Sequence, residues 1–309
     1  MDARTWDVVA LGEAMVEFNQ TSPNEPQYLQ GFGGDTSNAA IAAARAGART
    51  AYLTRIGADN FGRSLLQLWG QEGVNTSGVT TAGASHTGIY FVTHGSEGHE
   101  FHYLRADSAA SRMTPQWLSG TPSELIRAAR FLHLSGISLA ISAGACDTGF
   151  EAMAMARDAG TRVSFDSNLR LKLWPLARAR ACIRQAVSLC DVFLPSLDDM
   201  QALTGLSQPG DIVRWGHDHG AATVVLKLGS DGALVSDGQT REHIPARPVN
   251  LRDATGAGDC FCGNLLARMA KGDDIFRAAN YANAAASLSV QGFGAVSPMP
   301  RSHSVLAVL

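Results

Sequence analysis

The sequence predicts an α/β protein whose central sheet is mainly parallel. Short apolar segments alternate with helical segments along most of the 309 residues, and this order favours parallel strand pairing. Between residues 74 and 105 the pattern changes to alternating, aromatic-rich segments, which are typical of an antiparallel hairpin. A glycine-rich turn near the C-terminal end, at residues 253–259, precedes a further apolar helix.

The N-terminal region predicts a strand, a glycine-rich loop and a helix. Residues 7–12 are an apolar run that ends in glycine, as in a buried strand. Small residues then dominate up to Gly47, which predicts a helix that packs closely on a sheet. Gly34 allows a ligand to lie against the backbone, and Asp35 and Asn38 are placed to hydrogen-bond it. The residues suited to cap this helix are Asp35, Thr36 and Ser37.

The aromatic-rich region predicts a hairpin that acts as a lid. Residues 88–93 and 100–105 alternate, with Gly95-Ser-Glu-Gly98 between them. A hairpin that protrudes from a parallel α/β core can face a ligand on one side. Its expected polar face comprises Tyr90, Tyr103 and Arg105, with Arg105 suited to binding a carboxylate. The alternative for the two tyrosines is plain cross-strand packing.

Polar residues at the ends of two later strands are candidates for a binding site. Residues 163–166 form a predicted strand that ends in Asp166-Ser-Asn-Leu-Arg170. Ligands of open parallel sheets bind beyond the carboxyl ends of the strands, so Asn168 and Arg170 are expected at the site. Lys227 lies near the end of the predicted strand at residues 222–228 and is a further candidate for the site. The alternative is that Lys227 is only solvated.

The turn before the C-terminal helix indicates phosphoryl transfer. Gly256, Ala257 and Gly258 are small enough for backbone N–H groups to approach an anion, and a helix N-terminus favours phosphate. Asp259 repels such an anion, unless it takes a proton from a hydroxyl that attacks the phosphate. The alternative is a glycine-rich turn capped by aspartate. The spacing matches neither a dinucleotide fingerprint nor a P-loop.

Composition excludes several classes of function. A net charge of −3 argues against a nucleic-acid-binding surface. The N-terminus lacks the apolar core of a signal peptide, and no apolar run is long enough to span a bilayer, so a cytoplasmic location without a membrane partner is expected. Five cysteines, an odd number, do not indicate a disulfide framework. Cys260 and Cys262 are expected to be core residues.

Two motifs together resemble the ribokinase-like (PfkB) family of carbohydrate kinases. They are Gly33-Gly-Asp-Thr-Ser-Asn38, running on to Gly47, and Asp253-Ala-Thr-Gly-Ala-Gly-Asp259. The resemblance covers nearly the whole chain. It implies a single domain over residues 1–309, a three-layer α/β/α fold with a small β-sheet lid, and lid segments at about 13–34 and 86–106. It also implies that Asp259 is the catalytic base and that the amides of Gly256, Ala257 and Gly258 form the anion hole.

Within this family the sequence resembles the kinases of 2-keto-3-deoxygluconate. The likeness lies in Gly31–Thr36, Phe101–Arg105, Leu134–Ala140 and Phe165–Arg170. It implies phosphorylation of the terminal hydroxyl of that sugar acid. The implied substrate residues are Gly34, Asp35, Asn38, Tyr90, Tyr103, Arg105, Asn168, Arg170 and Asp259. Arginines on separate elements suit a carboxylate, which favours this group over kinases of neutral sugars.

The resemblance also implies ATP and Mg²⁺ as cofactors. The implied nucleotide residues are Ser196, Lys227, Gly229, Asp231, Gly232, Gly256, Gly258 and Asn283. Many relatives carry Asn-x-x-Glu where this chain has Ser196-Leu-Asp-Asp199, and Asp199 still supplies a carboxylate to organise Mg²⁺ and its waters. Some members bind a monovalent cation such as K⁺, for which Asp253 and Thr255 are candidates. Relatives often pair through the lid, so a homo-oligomer is expected.

Two other functions remain open from the sequence. One is a kinase of the same fold that acts on a neutral sugar, such as fructose or ribose, or on a nucleoside. The other is a non-catalytic sugar-binding protein of the same fold. The presence of Asp259 argues against the second, because a protein that has lost catalysis no longer needs the base.

Overall fold

The computed structural model describes residues 4–23, 25–95 and 98–309. The turn expected between Gly95 and Gly98 falls on residues 96 and 97, which lie outside the described residues. The strands, in chain order, are β1 (Trp6–Leu11), β2 (Met15–Gln20), β3 (Tyr28–Gly33), β4 (Thr50–Gly57), β5 (Val74–Asn75), β6 (Val79–Ala82), β7 (Ile89–Gly95), β8 (Gly98–Leu104), β9 (Ala129–Ser135), β10 (Arg162–Asp166), β11 (Val192–Leu194), β12 (Thr223–Lys227), β13 (Ala233–Ser236) and β14 (Arg241–Ile244).

The larger of two sheets has ten strands and is mainly parallel, as the sequence predicts. Its strand order is β14-β13-β12-β11-β10-β9-β1-β4-β5, and β6 pairs with β4. The pairings from β12 through β10, β9 and β1 to β4 are all parallel, whereas β13 and β14 add an antiparallel edge. The carboxyl ends of the parallel strands therefore meet along one edge of the sheet.

The smaller sheet has the strand order β3-β2-β7-β8. The predicted hairpin is confirmed, because β7 and β8 pair antiparallel with Tyr90 opposite Tyr103. β2 pairs parallel with β7 and antiparallel with β3, and the sequence did not predict β3 as a strand. Two segments far apart in the chain thus build one sheet beside the main one.

Helices cover both faces of the large sheet. Side chains of β1 alternate, with Val9 and Leu11 in one apolar cluster and Val8 in another. The helices are α1 (Asp35–Arg45), α2 (Asn60–Gln71), α3 (Thr121–Arg127), α4 (Gly136–Ala140), α5 (Ala143–Asp158), α6 (Leu176–Leu189), α7 (Leu197–Thr204), α8 (Pro209–Asp218), α9 (Ala257–Ala270), α10 (Ile275–Ser289) and α11 (Ser302–Leu306). The first cluster includes residues of α3 and α5 to α8, and the second includes residues of α1, α9 and α10.

The two motif helices, α1 and α9, pack directly against each other. A Cβ placed on Gly263 of α9 would lie 2.1 Å from the carbonyl oxygen of Ala39, so the backbones are in near contact. The alanines of α1 were expected to permit close approach to a sheet, and they permit this approach between helices as well. Cys260 and Cys262, also on α9, are fully buried, which confirms them as core residues.

The predicted N-cap of α1 is wrong. Gly34 occupies the cap with φ 115°, and no side chain caps the helix. A Cβ at Gly34 would lie 2.5 Å from the carbonyl oxygen of Glu13, so both the conformation and the space demand glycine. The helix begins at Asp35, which frees the Asp35 side chain for other contacts. Among the helices of residues 4–23, 25–95 and 98–309, none is both long and apolar enough to cross a membrane.

Candidate active site

A cavity of about 800 Å³ lies beyond the carboxyl ends of the parallel strands, between the two sheets. The large sheet contributes the ends of β10 and β12, and the small sheet contributes β7 and β8. Most of the predicted site residues line it: Gly34, Asp35, Asn38, Tyr90, Tyr103, Arg105, Asn168, Arg170, Ser196, Asp199, Lys227, Gly229, Thr255, Gly256, Gly258 and Asp259. The fold therefore brings both motifs and the lid hairpin to one place.

Five predicted site residues do not line the cavity: Asp231, Gly232, Asp253, Ala257 and Asn283. Asn283 is buried, and its Nδ2 donates to the carbonyl of Pro245 at 2.7 Å. The carboxylate of Asp253 accepts hydrogen bonds from the backbone N–H groups of Thr255 and Gly294. These side chains hold the loops beside the cavity in shape.

Asp259 lies in the first turn of α9, at the floor of the cavity. Asn38 Nδ2 on α1 donates to Asp259 Oδ2 at 2.8 Å, so the contact between the two helices fixes the carboxylate. Burial and then repulsion from Asp35 raise the pKa of Asp259 to about 7. A carboxylate with a pKa near neutrality is suited to take a proton at physiological pH.

Two buried oxygen atoms beside Asp259 have no hydrogen-bond partner within the described part of the chain. They are Oδ1 of Asp35 and Oδ1 of Asn38. The other atoms of both groups are occupied, since Asp35 Oδ2 accepts from Asn168 Nδ2 at 2.8 Å and Asn38 donates to Asp259. A buried acceptor without a partner carries a cost, which a hydroxyl of a bound ligand would remove.

Asn168 occupies a strained position at the end of β10. Its φ is 27°, a region that Asn tolerates better than most residues. Its backbone N–H donates to Asp166 Oδ1 at 3.2 Å, which stabilises the turn. Strain of this kind is concentrated at functional sites, and here it aims the Asn168 amide at Asp35.

Lys227 lies between the strand ends and the N-terminus of α9. Its Nζ contacts Asp166 Oδ2 at 2.6 Å, and its side chain is 15% exposed, so the interpretation of Lys227 as merely solvated is wrong. Burial is the largest single influence and lowers its pKa, but the charge and hydrogen bond of Asp166, together with Cys262 and Asp199, raise the pKa above the ordinary value. A Cβ on Gly258 would lie 3.6 Å from Lys227 Nζ. A fixed positive charge therefore stands next to the amides of the turn.

The turn at Gly256–Gly258 has a shape that lets an anion approach its backbone closely. Gly256 is the N-cap of α9 with φ 75°, and a Cβ there would lie 2.9 Å from the carbonyl oxygen of Ala295. Gly258 leaves the side of the turn that faces Lys227 free of a side chain. Of the three amides predicted to form the anion hole, the N–H of Ala257 donates to the carbonyl of Ala254 at 3.1 Å. The amides of Gly256 and Gly258, the helix dipole and Lys227 favour an anion at this point.

The region around Ser196 and Asp199 forms a second polar wall. Ser196 caps α7, since its side chain accepts from the N–H of Asp199 at 3.2 Å. Ser167 Oγ donates to Asp199 Oδ2 at 2.7 Å. Asp199 is half-buried and lines the cavity, and its charge is one of those that raise the pKa of Lys227.

Arg105 is already paired with a carboxylate of the protein. Its Nε donates to Glu13 Oε2 at 2.8 Å, and its Nη2 contacts the same oxygen. Ser108 Oγ donates to Glu13 Oε1, and the Glu13 side chain is fully buried. The sequence analysis missed Glu13, although the alternation in residues 13–18 places Glu13 on one face of the segment with Met15. A carboxylate on an otherwise apolar face of this segment was the signal that could have identified Glu13.

Replacing Arg105 with Ala is expected to lower the free energy of unfolding by about 3–5 kcal/mol, because the buried Glu13 then lacks its partner. Denaturant unfolding at neutral pH measures this change. In the matched double variant Glu13→Leu/Arg105→Met, apolar side chains replace both charges, and most of the lost stability is expected to return. An Arg105→Ala protein within 1 kcal/mol of wild type would contradict the pairing.

Arg170 differs from Arg105 in that its charge is available. Its side chain is exposed along the cavity, and Nη1 donates to the neutral carbonyl of Leu169 at 2.7 Å. Among the residues that the structure describes, Arg170 has no ion-pair partner. It lies near enough to Asp35 to lower the pKa of that carboxyl, which burial raises more strongly.

The family of carbohydrate kinases described as pfkB matches residues 6–302. The chain belongs to this family. It is 35% identical to a 2-dehydro-3-deoxygluconokinase from Thermoproteus tenax, over 95% of this chain and 92% of the relative. It is 31% identical to fructokinase-1 from Oryza sativa subsp. japonica, over 100% and 99% of the two chains.

This pfkB kinase is also similar to proteins whose structures have been solved. A protein described as ribokinase II from Escherichia coli, solved with ATP and Mg²⁺, superimposes with a TM-score of 0.89 at 25% identity and covers 97% of both chains. The ribokinase-like fold predicted from the sequence is thereby confirmed. As a pfkB kinase, the protein is an ATP-dependent sugar kinase.

Proposed function

We propose that this pfkB kinase transfers the γ-phosphoryl group of ATP to the terminal hydroxyl of 2-keto-3-deoxygluconate, giving 2-keto-3-deoxy-6-phosphogluconate. The observation that carries the proposal is the guanidinium of Arg170 on the cavity wall, which has no ion-pair partner within the described part of the chain. A sugar acid offers the carboxylate that such a cation binds. The similarity to 2-dehydro-3-deoxygluconokinases supports the same substrate class.

The residues on the cavity floor suit the transfer step. Asp259 takes the proton of the attacking hydroxyl, and Asn38 holds its carboxylate in position through the 2.8 Å bond. The N–H groups of Gly256 and Gly258, with Lys227, stabilise negative charge on the transferring group, whereas the N–H of Ala257, predicted to share this role, donates to the carbonyl of Ala254. The buried acceptors on Asp35 and Asn38 orient the hydroxyls of the sugar.

The residues present also fit ATP and a cation. The open space at Gly229, where a Cβ would contact nothing within 4 Å, admits a nucleotide beside Ser196. Bound Mg²⁺ supplies charge neutralisation on the phosphates, and Asp199 would hold it through its waters. Lys227 and the turn of α9 then keep the phosphate chain pointed at Asp259.

The proposal includes a lid and a monovalent cation. The segments at about 13–34 and 86–106, which contain the strands β2, β3, β7 and β8 of the small sheet, would act as the lid of a single kinase domain over residues 1–309. Tyr90 and Tyr103 on this sheet would close over the sugar and exclude water, a competing acceptor. Asp253 and Thr255 would assist a K⁺ ion through their loop beside α9.

A neutral sugar is the second candidate substrate. Glu13 neutralises Arg105, which removes one of the two arginines expected to bind a carboxylate, and the chain is also similar to a fructokinase. An ADP-release assay with Mg·ATP separates the two. The acceptors are 2-keto-3-deoxygluconate, gluconate, fructose, ribose and adenosine, each with and without K⁺. Selective turnover of the keto-deoxy acid supports the proposal, whereas selective turnover of fructose or ribose refutes it.

Replacing Arg170 with Ala is expected to raise KM for 2-keto-3-deoxygluconate about 10–100-fold, the worth of one charge-assisted hydrogen bond. The KM for fructose, if fructose is also turned over, is expected to change much less, because fructose has no carboxylate. Steady-state kinetics on both acceptors measure the difference. Lys172→Ala, which removes a neighbouring cation of the cavity wall, is the matched control. Equal effects of Arg170→Ala on both acceptors would contradict the carboxylate contact.

A further inference from the structure

Tyr90 and Glu17 form a buried pair behind the sugar side of the cavity. They are register neighbours on the paired strands β7 and β2, and their relative exposures are 5% and 4%. Tyr90 Oη donates to Glu17 Oε2 at 2.5 Å. Tyr90 lines the cavity, whereas Glu17 does not. A buried carboxylate therefore stands behind the tyrosine, and the proposed transfer step gives it no role.

The chemistry of the pair fixes the direction of its hydrogen bond. A phenol has one hydrogen to donate and lone pairs to accept with, and an ionised carboxylate only accepts. Burial and then the charge of Glu17 raise the pKa of Tyr90, so the hydroxyl keeps its proton. Burial also raises the pKa of Glu17, and the hydrogen bond that Glu17 accepts from Tyr90 opposes this shift and favours the ionised carboxylate. The hydroxyl proton is committed to Glu17. Toward the cavity, the Tyr90 oxygen can only accept.

The neighbouring strand is built around this pair. A Cβ on Gly33 would lie 2.3 Å from Tyr90 Oη, and a Cβ on Gly31 would lie 3.0 Å from Glu17 Oε1. Both glycines are on β3, which pairs with β2. The spacing Gly31-Phe-Gly33 in the sequence thus leaves room for the two polar heads, and β3 closes the pair off from solvent.

We propose that Glu17 is a positioning residue that holds Tyr90 as a hydrogen-bond acceptor, so that Tyr90 selects a hydroxyl of the substrate. The inference rests on the proposed function, because it takes a sugar acid as the ligand. A carboxylate or a keto oxygen has no hydrogen to donate and gains nothing from Tyr90. The polyol end of the substrate therefore lies against Tyr90, and the acid end lies toward Arg170.

A double-mutant cycle tests the link between the two residues. Glu17→Leu and Tyr90→Phe are each expected to raise KM for the sugar acid about 5–10-fold, with kcat changed less than about 3-fold, the effect of one neutral hydrogen bond. The double variant is expected to be no worse than either single variant, because both remove the same interaction. Glu17→Gln keeps an oxygen that accepts from Tyr90 and is expected to stay within about 2-fold of wild type.

Separate outcomes overturn the inference. KM effects that multiply in the double variant would show that Glu17 does not act through Tyr90. A lower melting temperature of Glu17→Leu with an unchanged KM would show that Glu17 has only a structural role. Substrate analogues that each lack one hydroxyl identify the hydroxyl that Tyr90 binds. For one of these analogues, KM is expected to be the same in Tyr90→Phe as in the wild-type enzyme. If only replacement of the carboxylate removed the effect of Tyr90→Phe on KM, Tyr90 would be a donor to the acid group.

Failure of the link between Glu17 and Tyr90 can be distinguished from failure of the proposed function. Turnover of 2-keto-3-deoxygluconate by the wild-type enzyme is measured first, and its absence refutes the proposed substrate alone. The cycle is then run on whichever neutral sugar is phosphorylated. Since every such sugar carries hydroxyls, the same non-additivity between Glu17 and Tyr90 is expected there, and additive effects would still overturn the inference.

Discussion

Replacing Asp259 with Asn is expected to lower kcat by about 10²–10⁴-fold, the usual contribution of a general base. The amide oxygen of the variant can still accept from Asn38, so the site keeps its shape. Binding of ATP, measured by calorimetry, is expected to stay within a few-fold of wild type. Turnover close to the wild-type rate would remove Asp259 from the mechanism.

The pH dependence gives the same residue an independent test. Because burial and Asp35 raise the pKa of Asp259 to about 7, the active carboxylate is lost as the pH falls through 7. The value of kcat/KM is expected to fall about tenfold per pH unit below that point and to level off above it. The raised pKa also means that ionised Asp259 costs stability at high pH. Asp259→Asn is therefore expected to melt no lower than wild type at pH 8.

Replacing Lys227 with Met is expected to lower kcat by about 10²–10³-fold at saturating substrates. Its ammonium group stands beside the turn at Gly258, where negative charge develops during transfer. The loss of a preorganised charge acts mainly on the transition state, so KM for ATP is expected to change less than kcat. Steady-state kinetics with both substrates measure the two effects.

A folding defect must be separated from this catalytic effect, because Lys227→Met leaves Asp166 buried without its partner. The double variant Asp166→Asn/Lys227→Met removes both charges and is expected to recover most of the melting temperature. Its kcat is expected to remain low. Recovery of wild-type turnover in the double variant would assign Lys227 a structural role only.

The fold could be predicted largely from the sequence, because strand and helix periods are local signals. The apolar run of β1 and the aromatic alternation of β7 and β8 needed no partner to be recognised. No helix was predicted over Leu176–Leu189, where the structure has α6. Its buried residues, Ala179, Ile183, Ala186 and Val187, recur at helical spacing, but two of the four are alanines, which add little to an apolar signal.

The partners of charged residues could not be predicted in the same way. Arg105 looked free to bind a carboxylate, yet Glu13, 92 positions away, fills that role. Lys227 looked like the solvated end of a strand, yet Asp166 holds it in the cavity. Periodicity shows which face a residue occupies. It does not show which charge will stand opposite when distant segments meet, and that depends on the packed fold.

The contact between Asn38 and Asp259 joins positions 221 residues apart, and this has a consequence for protein synthesis. A growing chain folds from its N-terminal end, so the sugar-side residues are made long before the base. No fragment that stops short of α9 contains the base or the helix terminus that favours phosphate. The capacity to transfer phosphate therefore appears only after α9 has been synthesised, and chains that have not reached α9 cannot consume ATP at this site.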